Sequence, residues 1–250
     1  MTQKKKLVYL GTKAIGAECL HYLLQQADDL NIEVLAVGTK ERKDLDGEQT
    51  VTALAQQYKI PLLASADDIP ECDIIYSVQY HEILKETHIA KAKEIAVNLH
   101  LAPLPDYRGC NQFSFAIANC AAEFGVTIHQ IDTGIDSGAI MFEDRFEMPK
   151  DIWVQDLVQM ATQKGIALFK FTLKHLIKGH FSLTLQDELL LKRGTHLYYR
   201  KDIAALKVID LAEDKAIIQK KIRATYMPGF ELPYTLVDGK KMYINPADFT

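Results

Sequence analysis

EIAVNLHLAPLPDYRG, residues 94–109, is a segment in which an apolar strand runs straight into polar residues. Alternate residues of a strand point to the same face, so Asn98 and His100 project together where this strand leaves its sheet. Burying such a pair costs free energy unless the side chains are hydrogen-bonded. From the spacing alone, a functional pair and an exposed pair at a strand end are equally acceptable.

The segments before this stretch alternate between strand and helix patterns. Helical spacing predicts helices at 14–24, 51–58 and 84–93, and short apolar runs predict strands at 7–10, 33–37, 60–63, 73–78 and 94–99. Strands that alternate with helices indicate an α/β fold with a doubly wound, mostly parallel sheet. Ligands of such sheets bind beyond the carboxyl ends of the strands, where Asn98 and His100 lie.

In the segments after this stretch, the predicted elements become shorter beyond about residue 180. The pattern predicts a helix at 112–123, strands at 126–131 and 139–148, and a long amphipathic helix at 151–178. Beyond it we expect strands at 183–185 and 189–191, a helix at 214–223 and a hairpin turning at Asp238-Gly239. We therefore predict a main domain at 1–180 and a small C-terminal β-rich subdomain at 181–250.

Composition indicates a soluble protein with a small-molecule partner. The 250 residues are 48% hydrophobic and 25% charged, and the formal net charge of −4 does not favour nucleic acid. No apolar stretch of about 18 residues predicts a membrane span. The apolar run at 7–10 is too short for a signal peptide, so we expect a cytoplasmic protein. The four cysteines lack metal-ligand spacing, and we expect reduced thiols and no metal.

Two glycine-containing turns were weighed as binding loops. The turn at 11–16, GTKAIG, matches neither a dinucleotide fingerprint nor a phosphate-binding loop, which favours a simple tight turn. The segment IDTGIDSGAI, residues 131–140, can present a carboxylate and backbone groups to a ligand. It can equally be a plain connector, whereas a calcium loop is disfavoured because the EF-hand ligand spacing is missing.

An ordered set of motifs resembles the formyltransferases that use N10-formyltetrahydrofolate. The motifs are NLH at 98–100, LP at 104–105, YRG at 107–109, GVTIH at 125–129 and IDSGAI at 135–140. The resemblance covers about residues 5–178. It implies a Rossmann-like sheet and a catalytic trio at Asn98, His100 and Asp136.

The chemistry of these three residue types is consistent with formyl transfer. An imidazole such as that of His100 can act as a general base that takes a proton from the attacking amine, directly or through a water. Asn98 offers an amide N–H to the developing oxyanion. Asp136 would orient the imidazole and stabilise its protonated form, and the reaction needs neither a metal nor a covalent enzyme intermediate.

The resemblance also implies where the folate donor lies. In that family, the pterin ring usually sits in a pocket lined by backbone from two loops, which correspond here to residues 79–84 and 132–136. The donor-binding candidates are Gln79, Tyr80, Ile83, Leu84, Asp132, Gly134 and Ile135.

The acceptor is best matched by the sugar-nucleotide branch of the family. That branch resembles this chain in its YRG loop and short tail, and it implies a dTDP-linked 3- or 4-amino sugar as substrate and a homodimer. The substrate-binding candidates are Tyr107, Arg108, Gly109, Arg200, Lys201, Arg223, Tyr226 and Phe230. Tyr226 or Phe230 would stack on the base, and the basic residues would meet the diphosphate. Any one of these tail residues could equally serve packing or solvation.

Other functions on the same scaffold are less well matched. Methionyl-tRNA formyltransferases carry a further barrel domain and basic surface, which the roughly 70 residues after position 180 and the acidic net charge do not suggest. Glycinamide ribonucleotide formyltransferases differ in the YRG loop and in the following helix. A formyltetrahydrofolate hydrolase would usually carry a regulatory domain before the sheet. A pure binding protein would not need the trio's proton shuttle.

Overall fold

The predicted α/β architecture is confirmed by a computed structural model that describes residues 3–41 and 47–249. The first eight strands are β1 (Lys5–Gly11), β2 (Ile32–Gly38), β3 (Leu62–Leu63), β4 (Cys72–Val78), β5 (Ala92–His100), β6 (Tyr107–Gly109), β7 (Glu123–Gln130) and β8 (Ile140–Glu147). Seven of them form one sheet in the order β3-β2-β1-β4-β5-β7-β8. β1 to β5 pair in parallel, whereas β7 and β8 add antiparallel strands beside β5.

Five helices accompany this part of the chain: α1 (Lys13–Gln26), α2 (Val51–Gln57), α3 (Glu86–Ile89), α4 (Gln112–Ala118) and α5 (Val154–Ile177). The long α5 covers one face of the sheet, as its amphipathic pattern predicts. Leu157, Phe169 and Leu173 on its inner face are buried in the main core. Because this layer is fixed by many apolar contacts, the strand ends that carry the site rest on a rigid support.

The C-terminal part contains more helix than its apolar runs suggest. Its elements are α6 (Leu190–Arg193), β9 (His196–Tyr198), α7 (Ile203–Lys207), α8 (Lys215–Thr225), β10 (Tyr234–Val237) and β11 (Lys240–Tyr243). The hairpin of β10 and β11 is confirmed, and its turn residues Asp238 and Gly239 have φ of 49° and 75°, as a type I′ turn requires. β9 pairs in parallel with β6, so the C-terminal part contacts the loop after β5.

Three element predictions were wrong. The helix expected at 84–93 is the four-residue α3, because β5 already begins at Ala92. The strands expected at 183–185 and 189–191 are absent: Thr184 forms an isolated bridge with Ile140, and residues 186–193 form a 3₁₀ turn and α6. The side chains of Leu185 and Leu191 face solvent, so their apolar character did not mark a buried strand.

None of the helices in the described residues has the length and apolar character that a membrane crossing demands.

The packing of α5 gives a matched pair of stability variants. Phe169 is fully buried with its ring centroid 4.8 Å from that of Tyr76, whereas Phe171 on the same helix is 74% exposed. Phe169→Ala should lower the free energy of unfolding by about 3–5 kcal/mol, because it removes buried contacts and leaves a cavity. Phe171→Ala should change it by less than about 0.5 kcal/mol. Urea unfolding measures both, and equal effects would contradict this packing.

Candidate active site

The end of β5 places Asn98 and His100 at the centre of the site. Asn98 pairs with Ser77 of β4 on one side and with His129 of β7 on the other. The antiparallel register sets the side chains of Asn98 and His129 directly opposite each other on one face. His100 and His129 are buried, and Asn98 is half-buried. Two imidazoles and one amide therefore share a corner of the sheet.

Asp136 reaches this corner from the loop between β7 and β8. Its carboxylate lies between the two imidazoles, with Oδ2 at 3.7 Å from Nδ1 of His100 and Oδ1 at 3.5 Å from Nε2 of His129. The backbone N–H of Gly109 donates to Oδ2 at 2.9 Å. The structure thus brings together Asn98, His100 and Asp136 from two segments that are distant in the chain.

Hydrogen bonding sets the tautomer of His100. Nε2 lies 2.9 Å from the backbone oxygen of Tyr107, which can only accept, so Nε2 carries the proton. In the neutral ring, Nδ1 then has the free lone pair and faces Asp136. A proton taken up at Nδ1 would create an imidazolium beside a carboxylate, which is the arrangement a general base needs.

His129 is a further residue of the site; it belongs to the GVTIH motif, from which no role was predicted for it. Its Nδ1 donates to the backbone oxygen of Gln130 at 2.8 Å, so Nε2 is the acceptor and receives a hydrogen bond from Nδ2 of Asn98 at 3.2 Å. This contact turns the amide nitrogen of Asn98 toward the site and leaves its second N–H for another acceptor. The cross-strand position opposite Asn98 was the signal that could have revealed this role.

We expect His129 to act through Asn98. His129→Leu removes the acceptor that orients the amide and should lower kcat about 10- to 100-fold, because small misplacements of reacting groups are costly. The double variant with Asn98→Ala should lose less activity than the product of the two single losses, since the two residues share one contact. Steady-state kinetics on the three variants test this, and independent, multiplicative losses would contradict it.

The electrostatics of Asp136 favour its ionised form. Burial alone would raise the pKa of this carboxyl, but the imidazoles of His100 and His129 in their protonated forms and the N–H of Gly109 together hold the pKa well below its usual range. The carboxylate therefore stays charged throughout the pH range in which an imidazole titrates.

This pKa shift predicts how stability depends on pH. A carboxyl with a depressed folded-state pKa adds stability above its unfolded pKa of about 3.9, and this stability is lost as the pH falls toward the folded value. Asp136→Asn removes that contribution, so its melting temperature should fall less steeply than that of the wild type between about pH 4 and pH 2. Circular dichroism melts measure both slopes, and parallel curves would show that Asp136 carries no such linkage.

The loop that follows β5 is held on both sides. The hydroxyl of Thr127 donates to the backbone oxygen of Ala102 at 2.8 Å and accepts from the N–H of Leu104 at 3.3 Å. The guanidinium of Arg193 donates to the backbone oxygen of Leu104 at 2.9 Å, and Arg145 forms a bidentate pair with Asp106. The backbone oxygen and N–H that this loop presents to His100 and Asp136 are therefore fixed.

The YRG residues divide into two groups. The ring of Tyr107 is buried and packs between Phe124 and Tyr198, so this side chain serves the core. Arg108 extends over the loop at 132–136, which we call the acidic loop. Its Nε donates there to the backbone oxygen of Ile135 at 2.9 Å. Of the three, Arg108 and Gly109 lie at the site itself.

Of the two loops predicted to bind the donor, the loop at 79–84 follows β4 at the carboxyl edge of the parallel strands, and the loop at 132–136 follows β7, which runs antiparallel to β5. Gln79 follows β4 with φ of 56°, its side-chain oxygen accepts from Nζ of Lys13 at 2.8 Å, and its backbone oxygen accepts from the hydroxyl of Thr12. Within the same loop, Leu84 is buried and Ile83 is 74% exposed. The hydroxyl of Tyr80 donates to Glu82 at 3.3 Å.

The acidic loop is closed by its own first carboxylate. Oδ1 of Asp132 accepts hydrogen bonds from the N–H of Gly134 at 3.1 Å and from the hydroxyl of Ser137 at 2.6 Å. This turn holds Ile135 and Asp136 in place.

The predicted tail residues are scattered rather than gathered at the trio. Arg200 and Lys201 are exposed in a short 3₁₀ turn beside Asn111, which donates to the backbone oxygen of Arg200. Arg223 pairs with Asp151 at 2.9 Å, and Tyr226 packs edge-on against Trp153. These two side chains contact the segment before α5. Phe230 is 49% exposed in the loop before β10.

Comparison with known proteins identifies the family of the chain. Residues 21–170 match the formyl transferase family. The chain belongs to this family. The match covers the strands and loops that supply Asn98, His100 and Asp136, and this formyl transferase extends beyond it into the C-terminal part.

Two curated relatives and one solved structure resemble this formyl transferase. GDP-perosamine N-formyltransferase of Brucella melitensis biotype 1 is 29% identical over 176 residues, which are 70% of this chain and 65% of that protein. The chain thus spans about two thirds of that relative's length. Methionyl-tRNA formyltransferase of Geobacter sulfurreducens is 26% identical over 253 residues, covering 95% of this chain and 76% of that one.

The solved structure shows that the fold is shared along nearly the whole chain. WlaRD, described as a sugar 3N-formyl transferase in the presence of dTDP and 5-N-formyl-THF, superposes with a TM-score of 0.77 at 24% identity. The superposition covers 96% of this chain and 85% of WlaRD. The C-terminal part of this formyl transferase therefore follows the same overall path.

Proposed function

We propose that this formyl transferase is a sugar N-formyltransferase that moves a formyl group from N10-formyltetrahydrofolate to the amine of a nucleotide-linked amino sugar. The observation that carries the proposal is the Asp136 carboxylate set between the imidazoles of His100 and His129, with the Asn98 amide beside them. This set can deprotonate an amine and stabilise an oxyanion, which is what formyl transfer requires.

In the proposed reaction, the neutral amine attacks the formyl carbon and the carbonyl oxygen becomes an oxyanion. The N–H of Asn98 that is not bonded to His129 donates to that oxygen. Nδ1 of His100 takes the proton from the amine, and Asp136 stabilises the imidazolium. The C–N bond to the folate then breaks, and the same proton passes to the leaving folate nitrogen. Each step uses a group whose tautomer and orientation are set by hydrogen bonds.

The donor would bind beside this set, between the loops at 79–84 and 132–136. Hydrogen bonds from Thr12 and Lys13 to Gln79 hold the first loop, and the bonds that Asp132 accepts close the second. Such loops offer backbone N–H and C=O groups to a planar heterocycle. Gln79, Tyr80, Ile83, Leu84, Asp132, Gly134 and Ile135 remain the proposed donor-binding residues.

The acceptor that we propose is a dTDP-linked 3- or 4-amino sugar. WlaRD supports the dTDP and C3 choices, whereas the Brucella relative supports a GDP-linked sugar. Arg108 lies over the acidic loop and is the proposed cation nearest the reacting groups. Arg200 and Lys201 are exposed and can meet a diphosphate. Arg223 and Tyr226 are weaker candidates because they are engaged by Asp151 and Trp153.

We further propose that the enzyme works as a cytoplasmic homodimer. The free thiols Cys19, Cys72, Cys110 and Cys120 fit a reducing compartment, and the dimer follows from the family resemblance.

Methionyl-tRNA is the second candidate acceptor. It is favoured by the Geobacter relative, whose alignment extends through 95% of this chain. The formal net charge of −4 opposes it, because tRNA binding depends on neutralising phosphates. A hydrolase that transfers the formyl group to water uses the same trio and is the third outcome to test.

One assay separates these outcomes. The enzyme is incubated with N10-formyltetrahydrofolate and, in separate arms, dTDP-3-amino sugars, dTDP-4-amino sugars, GDP-4-amino sugars, methionyl-tRNA or no acceptor. Tetrahydrofolate absorbance measures turnover, and mass spectrometry detects the formylated product. Turnover with a nucleotide sugar supports the proposal. Turnover with methionyl-tRNA and with none of the nucleotide sugars would overturn it. Formate release at the full rate without an amine would also overturn it.

The assigned roles predict the effect of two substitutions. His100→Ala and Asp136→Ala should remain folded and bind ligand, but transfer formyl groups about a hundredfold or more slowly, because each removes part of the proton path. Kinetics with the best acceptor measure kcat, and thermal shift reports ligand binding. Wild-type rates in either variant would refute the roles.

A further inference from the structure

Gln186 holds the backbone of the loop that carries Asp136. The residue follows α5, lies in the 3₁₀ turn at 186–189, and is only 6% exposed. Its side-chain Nε2 donates to the backbone oxygen of Asp136 at 2.9 Å and to that of Gly138 at 2.8 Å. One amide group therefore spans the residues on both sides of Ser137.

The backbone to which Gln186 donates these hydrogen bonds is strained. Asp136 has φ of 47°, in the left-handed region that costs free energy for a residue other than glycine. Gly138 packs closely on the preceding strand, because a Cβ there would lie 2.8 Å from the carbonyl carbon of Gln130. Such a turn persists only when its surroundings determine it. The two hydrogen bonds from Gln186 restrain the backbone of this turn, whereas Gly109 binds the carboxylate.

The segment that carries Gln186 is itself hydrogen-bonded to the sheet. Thr184 and Ile140 exchange two backbone hydrogen bonds, each of 2.9 Å, two residues before Gln186 and two residues after Gly138. The chain at 184–186 therefore lies against the start of β8 in a fixed register. Because its backbone is held there, Gln186 loses little additional freedom when its side chain forms the two bonds.

We propose that Gln186 is a positioning residue, which fixes the left-handed turn at Asp136 so that the carboxylate reaches both His100 and His129. The proposal rests on the proposed function for its kinetic consequences. It explains why a residue outside the segment that matches the family, 21–170, hydrogen-bonds to the catalytic loop. Without the two hydrogen bonds the turn can relax, and the separations of 3.7 and 3.5 Å between Asp136 and the imidazoles are no longer enforced.

The kinetic test compares Gln186→Met with a control substitution elsewhere in the chain. Gln186→Met keeps the size of the side chain and removes both donors, so kcat should fall about 10- to 100-fold while KM for the acceptor changes less than about twofold. Thr172→Val is the control: it removes a buried hydroxyl that bonds only within α5, to the backbone oxygens of Leu168 and Phe169, and should leave kcat unchanged. Wild-type kcat in Gln186→Met would overturn the proposal.

Gln186→Glu adds a pH signature that simple destabilisation does not produce. Its carboxylate would face two carbonyl oxygens and repel them, whereas its protonated form regains one O–H donor. Activity relative to the wild type should therefore rise as the pH falls. A ratio that is flat or falls with decreasing pH would count against the role.

A ligand-free measurement separates this proposal from the proposed function. The side-chain ¹⁵N signals of His100 and His129 are recorded in the wild type, Gln186→Met and Asp136→Asn. In Gln186→Met both signals should move toward those of Asp136→Asn, in which the carboxylate charge is missing. Unchanged signals would overturn the positioning role. If no acceptor is formylated by the wild type, the proposed function fails, and this measurement still decides the role of Gln186.

Discussion

The antiparallel pairing of β7 with β5 sets the register on which the site depends. In this register His129 stands opposite Asn98, and a slip of one residue would turn His129 to the other face of the sheet. The buried residues of β7, including Val126 and Ile128, fix the register through their place in the core. Apolar packing on one part of the strand thus decides where an imidazole meets an amide on another part.

Asp136 is held by two separate segments of the chain. The N–H of Gly109, on β6, binds the carboxylate itself, and Gln186 binds the backbone of its loop. β6 in turn pairs with β9, so both supports depend on residues 184–198. Burial alone would favour the uncharged acid. The N–H of Gly109 and the facing imidazoles favour the carboxylate, and Gln186 fixes the backbone that aims it.

Local pattern was sufficient to predict the sheet, the long α5 and the hairpin, because each has a strong period or turn signature. The trio was predicted from the family resemblance, since spacing alone left the role of Asn98 and His100 open, and the structure brings the three residues together. His129 was not assigned a role, because its contact with Asn98 depends on register between strands. Gln186 could not be predicted, since it lies 50 residues from Asp136 in the chain. The strands expected at 183–185 and 189–191 failed because exposed leucines imitate a buried run.

The parallel pairing of β6 with β9 bears on how acceptor specificity could change within this family. The tail that is proposed to bind the nucleotide also supplies a strand to the loop that presents the Gly109 N–H to Asp136. If the tail binds the nucleotide as proposed, recognition and chemistry are not carried by separable modules. Grafting the tail of a relative with another acceptor would alter the pocket and the alignment of the acid together, so a successful exchange would have to preserve the backbone of residues 196–198.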